Sequence, residues 1–163
     1  MKSKWTLVVV AGLVGLAATA GVVLATPGSG FTAAQQWKGV FDEMDVHVVD
    51  MPGHQVKLKT KGVSDVYVTR NAIAVGGHSG WHTHPGPSLI IVTVGEIMAY
   101  DADDPSCTPK LYRAGEGFVD PGDGHVHLLR NETDAPAETV AVQILPKDAT
   151  RRLDAPAPGN CPS

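Results

Sequence analysis

The chain has 163 residues, a formal charge of −4, 18 glycines, 12 prolines and two cysteines. That length suggests one domain, and an acidic balance without any basic cluster argues against nucleic acid as a partner. Few aromatic residues leave no obvious stacking platform, and so much glycine and proline favours short strands and turns over long helices.

Lys2 and Lys4 precede an uncharged apolar run from Trp5 to Ala25. A positive start followed by an apolar core is the layout of a targeting segment. Val23-Leu24-Ala25 and Ala18-Thr19-Ala20 offer small residues for cleavage, and Thr26-Pro27-Gly28 breaks any helix that the run forms. Residues 1–25 therefore read as a signal peptide or, if uncleaved, a membrane anchor, since about twenty apolar residues can just span a bilayer. Either reading exports the folded part. The protein is then secreted or anchored at the extracytoplasmic face of the membrane, with membrane contact only through residues 5–25. Removing residues 1–25 takes away two lysines and no acids, leaving 11 basic and 17 acidic side chains and a formal charge of −6.

Residues 26–54 read as an N-terminal arm, in which Phe31–Lys38 fits either a short helical turn or an extended segment. From Gln55 the pattern becomes one of strands. Gln55–Thr60 alternates apolar and polar residues, and Asp65–Val75 is rich in β-branched residues. Ser88–Val94 is a nearly continuous apolar run ended by Gly95, with Glu96–Tyr100 expected as its hairpin partner. Lys110–Ala114, Gly117–Asp120, Val126–Arg130 and Thr139–Leu145 continue the series. Short strands at this spacing predict an all-β sandwich or barrel over residues 55–148. A Pro-rich tail, residues 149–163, follows. Cys107 lies in a polar turn-rich loop and Cys161 in that tail. An exported chain with two cysteines favours a disulfide between them, which would fasten the tail; two free thiols are the alternative.

Five of the seven histidines fall in two short segments, Gly76-Gly77-His78-Ser79-Gly80-Trp81-His82-Thr83-His84-Pro85-Gly86 and Gly124-His125-Val126-His127-Leu128-Leu129-Arg130-Asn131. In extended backbone, residues i and i+2 point to one face. His82 and His84 then aim into one space, as two ligands of one metal must, while Trp81 packs on the other face. His125 shares a face with His127, as a rim acid–base group or a replacement ligand. The simpler reading of His125 and His78 is a pair of solvent-facing turn histidines. Asn131 reads as tying a turn.

These two segments resemble the paired motifs of the cupin superfamily. In the first, Gly76 is followed by five residues, His82-Thr83-His84, three residues, Ser88, six residues and Gly95. In the second, Gly115 is followed by five residues, Pro121, a glycine at 124 that comes one residue late, then His127 and Asn131. The resemblance implies a cupin double-stranded β-helix, a jelly-roll barrel with a small site inside. It further implies one divalent metal ion held by His82, His84 and His127, with Fe, Zn, Mn, Cu and Ni not distinguished. Ser88 stands where the family carries a glutamate ligand, so the site is expected to hold one negative charge fewer, as in the three-histidine branch that includes thiol dioxygenases. Ser88, His125, Asp120, Asp123 and Asn131 are the candidates for the surrounding pocket. The function implied is an exported single-domain cupin acting on a small-molecule substrate in an oxygenase-like or hydrolytic reaction. The alternative is a non-catalytic small-ligand or metal binding or sensing module, and a homodimer is left open.

Overall fold

Strands alternate their side chains between two faces, so a barrel needs runs in which every second residue is apolar or otherwise content indoors. The computed structural model describes residues 25–161 and follows that rule through twelve strands. The apolar segment within residues 1–25 therefore lies almost wholly outside the described residues. Among the described residues there is no helix, and none long and apolar enough to cross a membrane.

The strands in chain order are β1 (Ser29–Phe41), β2 (Asp45–Met51), β3 (His54–Lys59), β4 (Ser64–His78), β5 (His82–Thr83), β6 (Ser88–Val94), β7 (Glu96–Asp101), β8 (Lys110–Arg113), β9 (Gly117–Asp120), β10 (His127–Arg130), β11 (Ala137–Pro146) and β12 (Leu153–Asp154). β2 and β3 form a separate two-stranded sheet, and the other ten form one sheet that curls into a near-closed barrel. Its main path runs β12-β5-β10-β4-β11-β6-β9. β1 lies along β4, and β7 joins β10 to β8. All pairings are antiparallel.

Two expectations resolve here. Phe31–Lys38 takes the extended option, because β1 pairs with β4 from Ser29 to Phe41. Glu96–Tyr100 is not the hairpin partner of Ser88–Val94. β6 pairs with β11 and β9, whereas β7 pairs with β10 and β8. Gly95, at φ +69, sits with its would-be Cβ 2.8 Å from Pro136 O. A left-handed glycine pressed against another chain segment lets the backbone change direction between the two sides of the barrel instead of folding straight back.

Two apolar clusters fill the structure. Ile73, Val92, Ile97, Leu129 and Ala137 form one, with Phe31 and Phe118 packed on it. Trp81, Tyr100, Leu128 and Ala155 form the other. Trp81 is 0% exposed, which confirms its packing role. Cys107 and Cys161 are joined in a disulfide, Cα–Cα 5.4 Å, and pack against this second cluster. The bridge thus fastens the tail beside β12. The outer face is less covered. Trp37, Val68, Val142, Leu89 and Val119 stand side by side across β1, β4, β11, β6 and β9, with Trp37 68% and Val119 63% exposed.

Candidate metal centre

β5 is only two residues long and is wedged between β10 and β12. His82 sits opposite His127 on one side and Asp154 on the other. His127 therefore reaches the pair from the adjacent strand. His84 follows β5 at the next inward position. The three rings converge, with centroids 4.9 Å apart for His82–His84, 4.3 Å for His82–His127 and 5.6 Å for His84–His127. One nitrogen from each lies within 4.8 Å of the others, a spread that one ion can draw together.

The one-residue delay before Gly124 does not disturb this register. Gly122, Asp123 and Gly124 all have positive φ, +68, +52 and +89. A Cβ at Gly122 would lie 2.3 Å from Gly86 O and 2.9 Å from His84 O, so the glycine that the close approach requires is Gly122. The extra residue is taken up in this left-handed turn before β10 begins. Asp123 is exposed there and contributes its backbone N–H, which donates to His84 O at 2.8 Å. Its carboxylate does not join the cluster.

Hydrogen bonds orient two of the rings. His82 Nδ1 donates to Gly80 O at 2.8 Å, and His84 Nδ1 donates to Arg151 O at 2.5 Å. A carbonyl can only accept, so each Nδ1 carries the proton and each Nε2 keeps its lone pair, as a metal ligand must. Burial holds all three imidazoles neutral. It pushes the His82 pKa down to about 2, aided by the charges of His127 and Arg152. It lowers His84 against the Arg151 carbonyl and Asp120. It pushes His127 down to about 4 against the opposing charge of Asp120. Neutral imidazole is the metal-binding form.

Two polar atoms at the cluster are buried with no hydrogen-bond partner, His127 Nδ1 and Asp120 Oδ2. Buried polar groups are nearly always satisfied, so two orphans in one place mark where a further group is expected. Asp120 lies at the end of β9, directly opposite Ser88 on β6. Ser88 itself is buried, within 3.4 Å of Gln143 Nε2, which donates to its hydroxyl. The expected shortfall of one negative charge thus meets a carboxylate that the sequence reading did not place.

His125 is not a solvent-facing turn residue. It is half-buried between two acids, with Nε2 2.9 Å from Asp101 Oδ2 and Nδ1 3.3 Å from Asp120 Oδ1. Burial would lower its pKa, but the hydrogen bonds and charges of Asp101 and Asp120 outweigh it, and the net shift is upward. His78 ends β4 away from the triad, paired with Arg130; it is half-buried rather than solvent-facing, and its Nδ1 accepts from Gly80 N at 3.2 Å. Asn131 is fully buried. Its amide donates to Ile73 O and Ala135 O, and its oxygen accepts from the backbone and hydroxyl of Thr133. It ties the turn before β11, as the sequence suggested.

Two cavities meet at His127 and Leu129. The inner one, about 90 Å³, contains the triad; its wall is largely apolar, with Phe31, Ile90 and Leu129, and the polar groups Asn71, Gln143, Arg151 and Arg152 are set into it. The outer one, about 410 Å³, opens on the other side of His127 and is lined by Asp101, Lys110, Tyr112, Phe118, Asp120 and His125.

Fold and site together define a class: an all-β, near-closed barrel with a buried three-histidine cluster inside. No family model matches the chain, and no curated protein matches it. Among solved structures, oxalate oxidase aligns at 29% identity over 48% of this chain and 41% of that chain, with a TM-score of 0.43. A double-stranded β-helix protein from Klebsiella pneumoniae aligns at 20% identity over 70% of this chain and 84% of that one, TM-score 0.45. A Cupin_2 domain of an XRE family transcriptional regulator from Enterobacter cloacae aligns at 19% over 50% and 83%, TM-score 0.41. The chain spans less than half of the oxalate oxidase that it matches.

Proposed function

We propose that this chain is an exported cupin in which His82, His84 and His127 hold one divalent metal ion, and that the cavity beside them takes a small polar molecule. One observation carries the reading: three buried imidazoles, kept neutral, converge in the barrel interior. Fe, Zn, Mn, Cu and Ni are all compatible with imidazole ligands. A bound ion would supply Lewis acidity or oxygen chemistry.

The chain's own residues do the rest. Gly80 O and Arg151 O fix the tautomers of His82 and His84. The inner cavity of about 90 Å³ admits a ligand of a few heavy atoms, since a water occupies roughly 30 Å³. Arg151 is braced by Gln143 and Gln35, and Arg152 by Asp154 and Ser79 O. Guanidiniums so held favour a ligand that carries a carboxylate or another anionic oxygen. Oxygenase-like or hydrolytic turnover is the leading activity, and a binding or sensing module without turnover is its rival. Export rests on the layout of residues 1–25 and on the Cys107–Cys161 bridge, which needs an oxidising compartment.

Elemental analysis of the purified protein tests the metal reading. Wild type and His78→Ala should carry about one equivalent. His84→Ala and His127→Ala should each fall below a tenth, because each removes one of the three imidazoles. If both retain a full equivalent, the three-histidine site is wrong. Oxygen uptake with thiols and phenolics then separates turnover from simple binding.

A further inference from the structure

We propose that Asp120 supplies the carboxylate ligand whose usual place Ser88 occupies, so that the acid has moved across the β6–β9 pair and the ion is held by three histidines and one aspartate. This deepens the metal reading above and rests on it.

The register makes the substitution possible. Ser88 and Asp120 are direct antiparallel partners. Side chains at such positions leave the backbone side by side, with Cβ atoms about 5 Å apart, on the same face of the sheet. An acid at either position therefore enters the same part of the barrel interior. Alternation along β9 agrees, since Val119 faces out and Asp120 faces in.

The carboxylate's surroundings give its two oxygens separate tasks. Oδ1 accepts from Gly122 N at 3.1 Å and lies 3.3 Å from His125 Nδ1. Oδ2 has no donor and lies 3.9 Å from His84 Nε2, the nitrogen left free for metal. The residue is 2% exposed, so water does not satisfy that oxygen. A buried carboxylate oxygen with no donor is unfavourable unless a cation meets it. The His127 ring does not meet that need, as its Nδ1 lies 3.5 Å from Oδ1 without making a hydrogen bond. Asp120 also joins His127 in a second close group with His125, so one carboxylate links the triad to the outer cavity.

Other acids do not compete. Asp123 is exposed in its turn. Asp101 pairs with His125. Asp65 lies at the far end of β4, where Lys38, Tyr67 and the Asp148 amide hold its Oδ2; its Oδ1 is also buried without a partner, but Asp65 belongs to neither group that could hold an ion, whereas Asp120 does. A set of three imidazoles and one carboxylate also carries the charge that Ser88 had removed, and it suits Mn and Fe better than imidazoles alone.

The test exchanges the acid between the two strands. Co(II) is titrated into metal-stripped full-length protein, with affinity read by calorimetry and coordination read from the visible absorption of bound Co(II). Wild type, Asp120→Asn, Asp120→Ala, Ser88→Glu/Asp120→Asn and His84→Ala are compared, each checked for fold by near-ultraviolet circular dichroism. Loss of an outer partner that merely orients a ligand costs about 10–100-fold in affinity. Asp120→Asn is expected to lose more than this and to change the Co(II) spectrum, and Ser88→Glu/Asp120→Asn is expected to recover most of both. Should Asp120→Asn bind within threefold of wild type, Asp120 is no ligand. A 10–100-fold loss that Ser88→Glu fails to rescue makes it a positioning residue and overturns the proposal. If wild type itself binds no Co(II), or His84→Ala binds as well as wild type, the three-histidine reading has failed as well. Asp120→Ala keeps the comparison available should Asp120→Asn misfold.

Discussion

Acidifying the metal-stripped protein should unfold it well above the pH at which its carboxylates titrate. His82 and His127 have pKa values near 2 and 4 in the folded state against 6.5 for a free imidazole. Between pH 6.5 and 4 the unfolded chain binds a proton at each and the folded chain does not, so stability rises with pH there and falls as acid is added. Each group contributes about 1.4 kcal/mol per pH unit. The pair therefore removes about 4 kcal/mol by pH 5 and about 6 kcal/mol by pH 4, where the folded His127 is itself beginning to protonate, set against a typical total of about 5–15 kcal/mol. His125 works the other way. Its raised pKa gives stability that is fully present below pH 6.5 and is lost as pH climbs through the folded value. The stripped protein should thus lose stability on both sides of neutrality, more steeply on the acid side, where two groups act against one. Urea unfolding followed by tryptophan fluorescence, at pH 7, 6, 5 and 4 with chelator present, measures the curve. His82→Asn should roughly halve its acid slope. An unfolding free energy at pH 5 within about 1 kcal/mol of that at pH 7 would refute the reasoning, because neutral burial of the triad would then cost nothing.

Reducing the Cys107–Cys161 bridge opens a loop with a sequence separation of 54. It should lower stability by roughly 4 kcal/mol in denaturant, and non-reducing peptide mapping should recover the linked pair from native protein. N-terminal sequencing of protein recovered outside the cytoplasm should begin near Thr26. A full-length chain in the membrane fraction would favour the anchor, and protein found in the cytoplasm would defeat both export readings.

The strands were legible because alternation survives in single sequences. Ser88–Val94 and Gly117–Asp120 begin and end where they were expected. β1 was harder to read. Its Ala33-Ala34-Gln35-Gln36 stretch has no alternating pattern, and most of the strand lies exposed along the edge of β4. The partner of Glu96–Tyr100 was misread because a glycine between two apolar runs signals a turn without saying where the chain goes next. His82 and His84 were legible from their spacing in extended backbone, and His127 joined them through the resemblance to the paired cupin motifs. Asp120 was legible only as one of several pocket candidates, since its place opposite Ser88 depends on which strand lies beside β6, and pairing between distant strands leaves no mark in one sequence. The signal that came nearest was the period-two placement of Asp120 with Phe118, inward of Val119. His125 was underestimated for a similar reason, because Asp101 comes from β7 and only the fold brings it within 2.9 Å.

The wedging of β5 between β10 and β12 has a consequence for folding. His82 and His127 are 45 positions apart, and the carbonyl that orients His84 belongs to Arg151, near the end of the chain. Contacts of such long range close late, after local hairpins have formed. The unfolded or nascent chain offers an ion only local pairs, His82 with His84 or His125 with His127, each a weak chelate. A ligand set assembled at the final closure belongs to the native state and hardly at all to the transition state that precedes it. An ion held there would leave the folding rate nearly unchanged and express its binding energy as slower unfolding.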